Sequence, residues 1–240
     1  MPEPLLKVLQ QMKLSPKELL KQDPTVEFHE DCHRYFDIKR KHWVKGSVTE
    51  ISAKGDFLAQ VLNRPDGDEM KGKIEESIKR GVAVHDAVEH WFKTGEVKDT
   101  GDYRPWVNQF VNYPNLKDWE CIASEYRMID RRYDVAGTLD FILEHKDVGL
   151  VLCDLKTKNV KFNKNHAQVM TQLGGYLSLL YHVLPTLDIA KCRVYWLTPE
   201  KCSTDEYLPV DCLDLFTRAR RIHNDSKPTF SPCSLLNNRP

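Results

Sequence analysis

Three charged residues interrupt the apolar stretch GTLDFILEHKDVGLVLCDLKTK (Gly137–Lys158): Asp140 in its first half, Asp154 and Lys156 in its second. Alternation along LVLCDLK places Asp154 and Lys156 on one face of a strand. If HKDVG is a hairpin loop, Glu144 pairs with Leu150, and the same register sets Asp140 opposite Asp154. Directly opposed side chains lie about 5 Å apart at Cβ. Two carboxylates at that distance repel, and apolar neighbours make ionising both costly. A divalent cation removes the conflict, because carboxylate oxygens so spaced are good ligands for a hard metal, with room for waters. A metal Lewis acid beside a lysine can drive hydrolysis through activated water. The plainer alternative is a solvent-facing acidic pair with an exposed lysine. Aspartate is depleted in strands, and two at matched positions favour the metal reading.

Two predicted helices carry further candidates. Ile74, Ile78, Val82, His85, Val88 and Phe92 recur at helical spacing, which predicts an amphipathic helix over 72–93. His85 lies in this stripe, one turn after Gly81, which permits close backbone approach, and one turn before Glu89. A histidine there is either a hydrogen-bonded packing residue or a ligand. On a second predicted helix, 167–184, Gln172 and Tyr176 stand at i, i+4. That pair is either boundary packing or part of a site.

In chain order, Gly81-x-x-x-His85, Gly137-x-x-Asp140, Asp154-x-Lys156 and Gln172-x-x-x-Tyr176 resemble the pattern of the RecB-like branch of the PD-(D/E)XK nuclease superfamily. HRYF followed by GSVTEI is similar to the start of the small stand-alone phage and mitochondrial exonucleases of that branch. The resemblance implies one restriction-endonuclease-like α/β domain with a central mixed sheet flanked by helices. It implies that His85, Asp140, Asp154 and the Leu155 carbonyl would hold one or two Mg²⁺ or Mn²⁺ ions. Lys156 would orient or help deprotonate the attacking water and stabilise charge on the phosphate. Gln172 and Tyr176 would support Lys156 or contact the DNA backbone. Glu125, in SEYRM, matches an acidic position on the preceding strand and would orient water or a second ion; Glu89 is a further acidic neighbour. The implied activity is metal-dependent exonucleolytic hydrolysis of DNA at single strands or free ends, in recombination, repair or degradation. It leaves room for a recombination or replication protein as partner. Some relatives hold a 4Fe–4S cluster, but Cys32, Cys192, Cys202, Cys212 and Cys233 lack the compact run such a cluster needs, so none is expected.

The elements expected to position these residues form one α/β chain. Residues 1–70 read as a helical and β-hairpin extension packed on a core of 71–240. Leu5, Leu6, Leu9 and Met12 mark one helix face, and Ser15-Pro16-Lys17-Glu18 opens another helix. Alternation in VEFHE, HRYFDI and HWVKGSVTEI predicts a small antiparallel sheet over 25–51. RPDGDE (64–69) reads as a loop, and 100–117 as a short helix with loops. Strands are expected at 121–129, 133–144, 150–156, 193–198 and 206–210, and a late helix at 213–223. No acid occurs from Leu155 to Leu173, so Lys158, Lys161 and Lys164 are expected to hold phosphates beyond the reacting strand. The alternative for these lysines is a solvated charged loop.

A hydrophobic share of 41% and a charged share of 29% suit a globular protein rather than a disordered one. A formal net charge of +0 gives no global basic field, although potentials act through local clusters. Seven cysteines without a CxxC pair point to a reducing compartment. No secretory signal or membrane-length apolar run is visible, so a cytoplasmic protein of a bacterial or phage-infected cell is expected. Two other enzyme classes fit less well. An HD-type phosphohydrolase needs a helical core, whereas strands follow residue 120. In HDAVEH, His85 and His90 lie about 140° apart around a helix, unsuited to a zinc protease. A nuclease fold kept only for binding DNA should have lost Asp140, Asp154 or Lys156, and all three are present.

Overall fold

The computed structural model describes residues 14–53, 67–159 and 164–225. The expected helix face Leu5, Leu6, Leu9 and Met12 lies outside the described residues, as do Arg64–Asp66, Lys161 and Cys233. Helix α1 (Pro16–Leu19) begins where expected. The Ser15 hydroxyl accepts from the Glu18 amide, and the Glu18 carboxylate accepts from the Ser15 amide.

Strands β1 (Val26–His29), β2 (Arg34–Asp37) and β3 (His42–Trp43) form a small antiparallel sheet. Its inner residues Val26, Phe28 and Tyr35 pack with Val44 against Ile129 and Ala136. Buried Asp37 accepts two hydrogen bonds from Arg131, at 2.8 and 3.0 Å, which fasten the sheet to the turn after the next long strand. The expected sheet over 25–51 ends early. Gly46–Ser47 becomes β4, which joins the main sheet, and Val48–Ser52 becomes helix α2. The cause is a capping box: the Ser47 hydroxyl accepts from the Glu50 amide while the Glu50 carboxylate accepts from Ser47.

Helix α3 (Gly67–Thr94) is longer than predicted and absorbs the end of the RPDGDE loop. Its buried face is Val84, Ala87 and Val88, whereas Ile78 and Val82 of the predicted stripe are exposed. Helix α4 (Arg104–Val111) follows, then β5 (Glu120–Asp130), β6 (Val135–His145) and β7 (Gly149–Thr157). After α5 (His166–Val183) come β8 (Ile189–Leu197), β9 (Cys202–Tyr207) and α6 (Pro209–Asp225). The strand expected at 206–210 stops at Tyr207, because Pro209 cannot donate to a ladder and suits a first helical turn.

Beyond the small sheet, β4 to β9 build a mixed sheet with helices on both faces. Neighbours β5–β6, β6–β7 and β8–β9 are antiparallel; β4–β6 and β7–β8 are parallel. Side-chain alternation feeds two cores. Leu150, Leu152, Val194 and Trp196 meet α2, α5 and α6, while Val151, Cys153, Tyr195 and Leu197 meet α3 and α4. Strand β5 pairs with β6 from Val135 to Glu144, so β4 and β7 share the opposite edge of β6. Strand β4 takes Val135 and Ala136, and β7 takes Phe141 to His145. Between them, among the described residues, that edge is open from Gly137 to Asp140.

Glycine sets how closely the helices approach. A Cβ on Gly174 of α5 would lie 1.9 Å from the Cys212 carbonyl oxygen of α6. Alanine there gains up to about 1 kcal/mol of helix propensity but forces two backbones apart at a cost of about 1–3 kcal/mol or more. Gly174→Ala should therefore lower the unfolding free energy in urea. At exposed Gly72 of α3 an added Cβ would meet nothing within 4 Å, so Gly72→Ala should instead gain stability.

Candidate functional site

The open edge of β6 and a distortion of β5 meet on one rung. Ser124 pairs with Phe141 and Tyr126 with Leu139, and the intervening rung, Glu125 beside Asp140, is left out of the ladder. Leu139 and Phe141 should share a face, yet they belong to different cores, so alternation breaks at Asp140. Glu125 has φ +47°, a left-handed conformation that costs a non-glycine residue about 1–2 kcal/mol. Both carboxylates thereby meet His85 of α3. The His85 Nδ1 atom is 3.6 Å from Asp140 Oδ1 and 3.7 Å from Glu125 Oε1.

His85 Nε2 is 3.0 Å from the Leu155 carbonyl, which can only accept, so that nitrogen carries a proton. Burial alone would push the imidazole pKa down; Asp140 and Glu125 outweigh it and bring the value to about 9. Burial raises the Asp140 pKa against the opposing charges of His85 and Lys156.

Asp154 is fully buried, and burial raises its pKa to about 6, with Lys156 opposing and Asp140 adding to the rise. The Lys156 ammonium donates to Asp154 Oδ1 at 3.0 Å. Asp154 Oδ2 lies 2.8 Å from the same nitrogen but receives no hydrogen bond of sound geometry. Burial lowers the Lys156 pKa, and the carboxylates of Asp154 and Asp140 more than restore it.

The hairpin register holds as far as it can be followed: Glu144 pairs with Leu150 and Phe141 with Cys153. One rung further it fails. Asp140 does not simply face Asp154; its Oδ2 accepts the Leu155 amide at 2.6 Å. The three donors within 4.8 Å of one another are therefore His85, Glu125 and Asp140, with Asp154 held by Lys156 beside them. The Leu155 carbonyl, expected as a ligand, accepts from His85. One imidazole and two carboxylates make a donor set that fits a divalent cation, and the unsatisfied Asp154 Oδ2 is a further buried acceptor. Glu89 lines the same opening and pairs with Lys93 at 2.6 Å.

Gln172 donates to the Tyr176 hydroxyl at 2.7 Å, and Tyr176 is buried in the core. Burial raises the Tyr176 pKa, with Asp140 and Asp154 adding to it, so the pair borders the site. Of the three outer lysines, Lys158 follows β7; burial, Lys156 and Arg80 all lower its pKa. Lys164 pairs with Asp205 of β9 at 2.7 Å, a partner invisible in an acid-free stretch of sequence. Cys192 and Cys212 are buried in the core, and Cys32 and Cys202 are partly exposed. Sequence reasoning passed over Tyr35, whose hydroxyl lies 2.9 Å from that of Thr138, two residues before Asp140.

No protein-family model and no curated protein matches the chain. It is similar to the solved structure described as "Crystal structure of SSO0001", at 14% identity and a TM-score of 0.40, over 100% of this chain and 96% of that one. At this level the likeness carries no argument. The described residues form a mixed α/β protein in which no helix is long and apolar enough to cross a membrane.

The raised His85 pKa has a stability consequence. Its folded value lies above the unfolded one, so its contribution is complete below about pH 6.5 and is lost as pH rises through about 9. In chelator, the unfolding free energy of wild type relative to His85→Gln should fall across that window. A quarter of the side chain (27%) remains exposed, so solvent screening should hold the fall to about 1–2 kcal/mol. Urea titrations at several pH values measure it.

Proposed function

We propose that the chain is a divalent-metal-dependent deoxyribonuclease of the RecB-like branch, with a restriction-endonuclease-like core, acting as an exonuclease on single strands or free DNA ends. The observation that carries this reading is the convergence of His85, Glu125 and Asp140 at an open sheet edge, next to a buried Asp154–Lys156 pair. Asp154 Oδ2 is buried and 2.8 Å from the Lys156 ammonium without a hydrogen bond of sound geometry, so it keeps lone-pair capacity for a further cation. The spacing of the four sequence motifs supports the same reading.

In it, His85 Nδ1, Glu125 and Asp140, with Asp154 beside them, would hold Mg²⁺ or Mn²⁺. When bound, such an ion supplies Lewis acidity toward a phosphate oxygen and lowers the pKa of bound water. The chain's own residues do the rest. The Leu155 carbonyl accepts the Nε2 hydrogen of His85, fixing the ring so that Nδ1 faces the carboxylates. The Leu155 amide holds Asp140 by its other oxygen. Lys156, kept charged by Asp154 and Asp140, places a cation where negative charge develops on the phosphate. Asp140 and Glu125 hold the His85 pKa up at about 9, so a cation taking Nδ1 would compete with a proton, and metal affinity should rise with pH toward 9.

Digestion of end-labelled linear and circular DNA, single- and double-stranded, with Mg²⁺, Mn²⁺ or chelator, tests the proposal. Linear single strands should be degraded with either metal, and circles should resist. Asp140→Asn and Asp154→Asn should each lower turnover by about a hundredfold or more while the protein stays folded. Lys156→Ala should lose turnover with little loss of DNA binding. Full activity in either Asn variant would overturn the site assignment.

A further inference from the structure

The small sheet has a second face that the core does not use. Tyr35 and Val26 point inward, and the register lines up Glu27, Phe36 and Trp43 across the outer side, with His29 beside Arg34. Three rings cluster there. Trp43 lies 5.3 Å from Phe36 and 4.9 Å from His29 between centroids, and the Arg34 guanidinium sits 5.1 Å from the Trp43 ring. Among the described residues, neither Phe36 nor Trp43 belongs to or packs against any of the three hydrophobic cores. These rings are half-buried, packed on one another rather than on a core. Charge surrounds it. The turn between β2 and β3 carries exposed Lys39, Arg40 and Lys41, and Lys45 follows β3. The acid of that turn, Asp37, is buried under Arg131, Glu27 lies 3.4 Å from His29, and Lys45 lies 3.7 Å from Asp134, while exposed Glu30 and Asp31 stand at the far turn between β1 and β2.

We propose that this face is a stacking platform for single-stranded DNA. Phe36 and Trp43 each carry a base, His29 flanks them, and Lys39, Lys41 and Lys45 hold the phosphates. Flat rings interleaved with cations suit an unpaired strand, whose bases offer free π-faces, and not a duplex, whose bases are already stacked. Strand β2 fixes the platform to the candidate site: Phe36 faces out, while its neighbour Tyr35 reaches Thr138, two residues before Asp140. The inference deepens the nuclease reading and rests on it, since it makes the platform the holder of substrate upstream or downstream of the reacting phosphate.

Affinity of the full chain for a short oligothymidine, measured in Ca²⁺ to suppress cleavage, tests it. Trp43→Ala and Phe36→Ala should each weaken binding roughly five- to hundredfold, with little change for blunt duplex. Trp43→Phe should retain most of the affinity but lose the part of the fluorescence quenching that oligothymidine causes in wild type. This arm decides the question even if an alanine variant misfolds, which circular dichroism reports. Lys39→Ala with Lys41→Ala should flatten the salt dependence of binding. Wild type that binds and cleaves single strands, with unchanged affinity in folded ring-deleted variants and unchanged quenching in Trp43→Phe, overturns the platform and leaves the nuclease reading intact. Wild type that neither binds nor cleaves DNA overturns the nuclease reading, and the platform with it. A dimer that Trp43→Ala dissociates without altering DNA affinity assigns the face to a second copy of the chain and overturns the proposal.

Discussion

The Leu155 amide hydrogen is the point on which the candidate site turns. A buried backbone donor must find an acceptor, and at the open edge of β6 no strand carbonyl supplies one. The Asp140 side chain does so instead, at 2.6 Å. The carbonyl of the same residue accepts from His85 of α3. One buried leucine therefore holds a carboxylate with one backbone group and an imidazole with the other. Its side chain, 1% exposed, is locked in the core under α3, so neither backbone group has room to drift.

Around that anchor the charges are arranged as an unfinished balance. Glu125, Asp140 and Asp154 face two cations, His85 and Lys156. Burial works against every one of the four most enclosed groups: it raises both aspartate pKa values and lowers those of His85 and Lys156 before their partners compensate. Buried ion pairs contribute little net stability, and an excess carboxylate in such a place is a liability unless a further cation joins it. The left-handed backbone at Glu125 adds strain to the same rung.

Much of this is legible in the sequence, for identifiable reasons. The hairpin register follows from loop length and alternation, since a slip by one residue would turn the apolar set outward. The two long helices show in their periodicity. Most of what escapes depends on distant partners, and one element turns on a local signal that propensity hides. Val48–Ser52 looks like strand by its β-branched residues, although Ser47 and Glu50 carry the capping signal that wins. The rung at Glu125 and Asp140 obeys no local rule, because its distortion comes from two strands and a helix converging. Lys164 reads as free in its own segment and finds Asp205 on another strand. Periodicity alone sets the apolar stripe of α3 too early, because Ile78 and Val82 precede the part of the helix that the sheet covers.

The parallel pairing of β4 with β6 also bears on how the chain assembles. Gly46 and Ser47 are made early, but their partners Val135 and Ala136 arrive only after α3, α4 and β5. Closing so long a loop costs entropy before any contact repays it, and parallel pairing between distant segments slows folding. The β5–β6–β7 meander, by contrast, joins neighbours in sequence and can zip locally. The meander thus forms one border of the open edge well before β4 can form the other. During that interval a nascent chain would leave Val135 and Ala136 unpaired as well as Gly137–Asp140, lengthening this edge and making it the vulnerable point for mispairing with other strands.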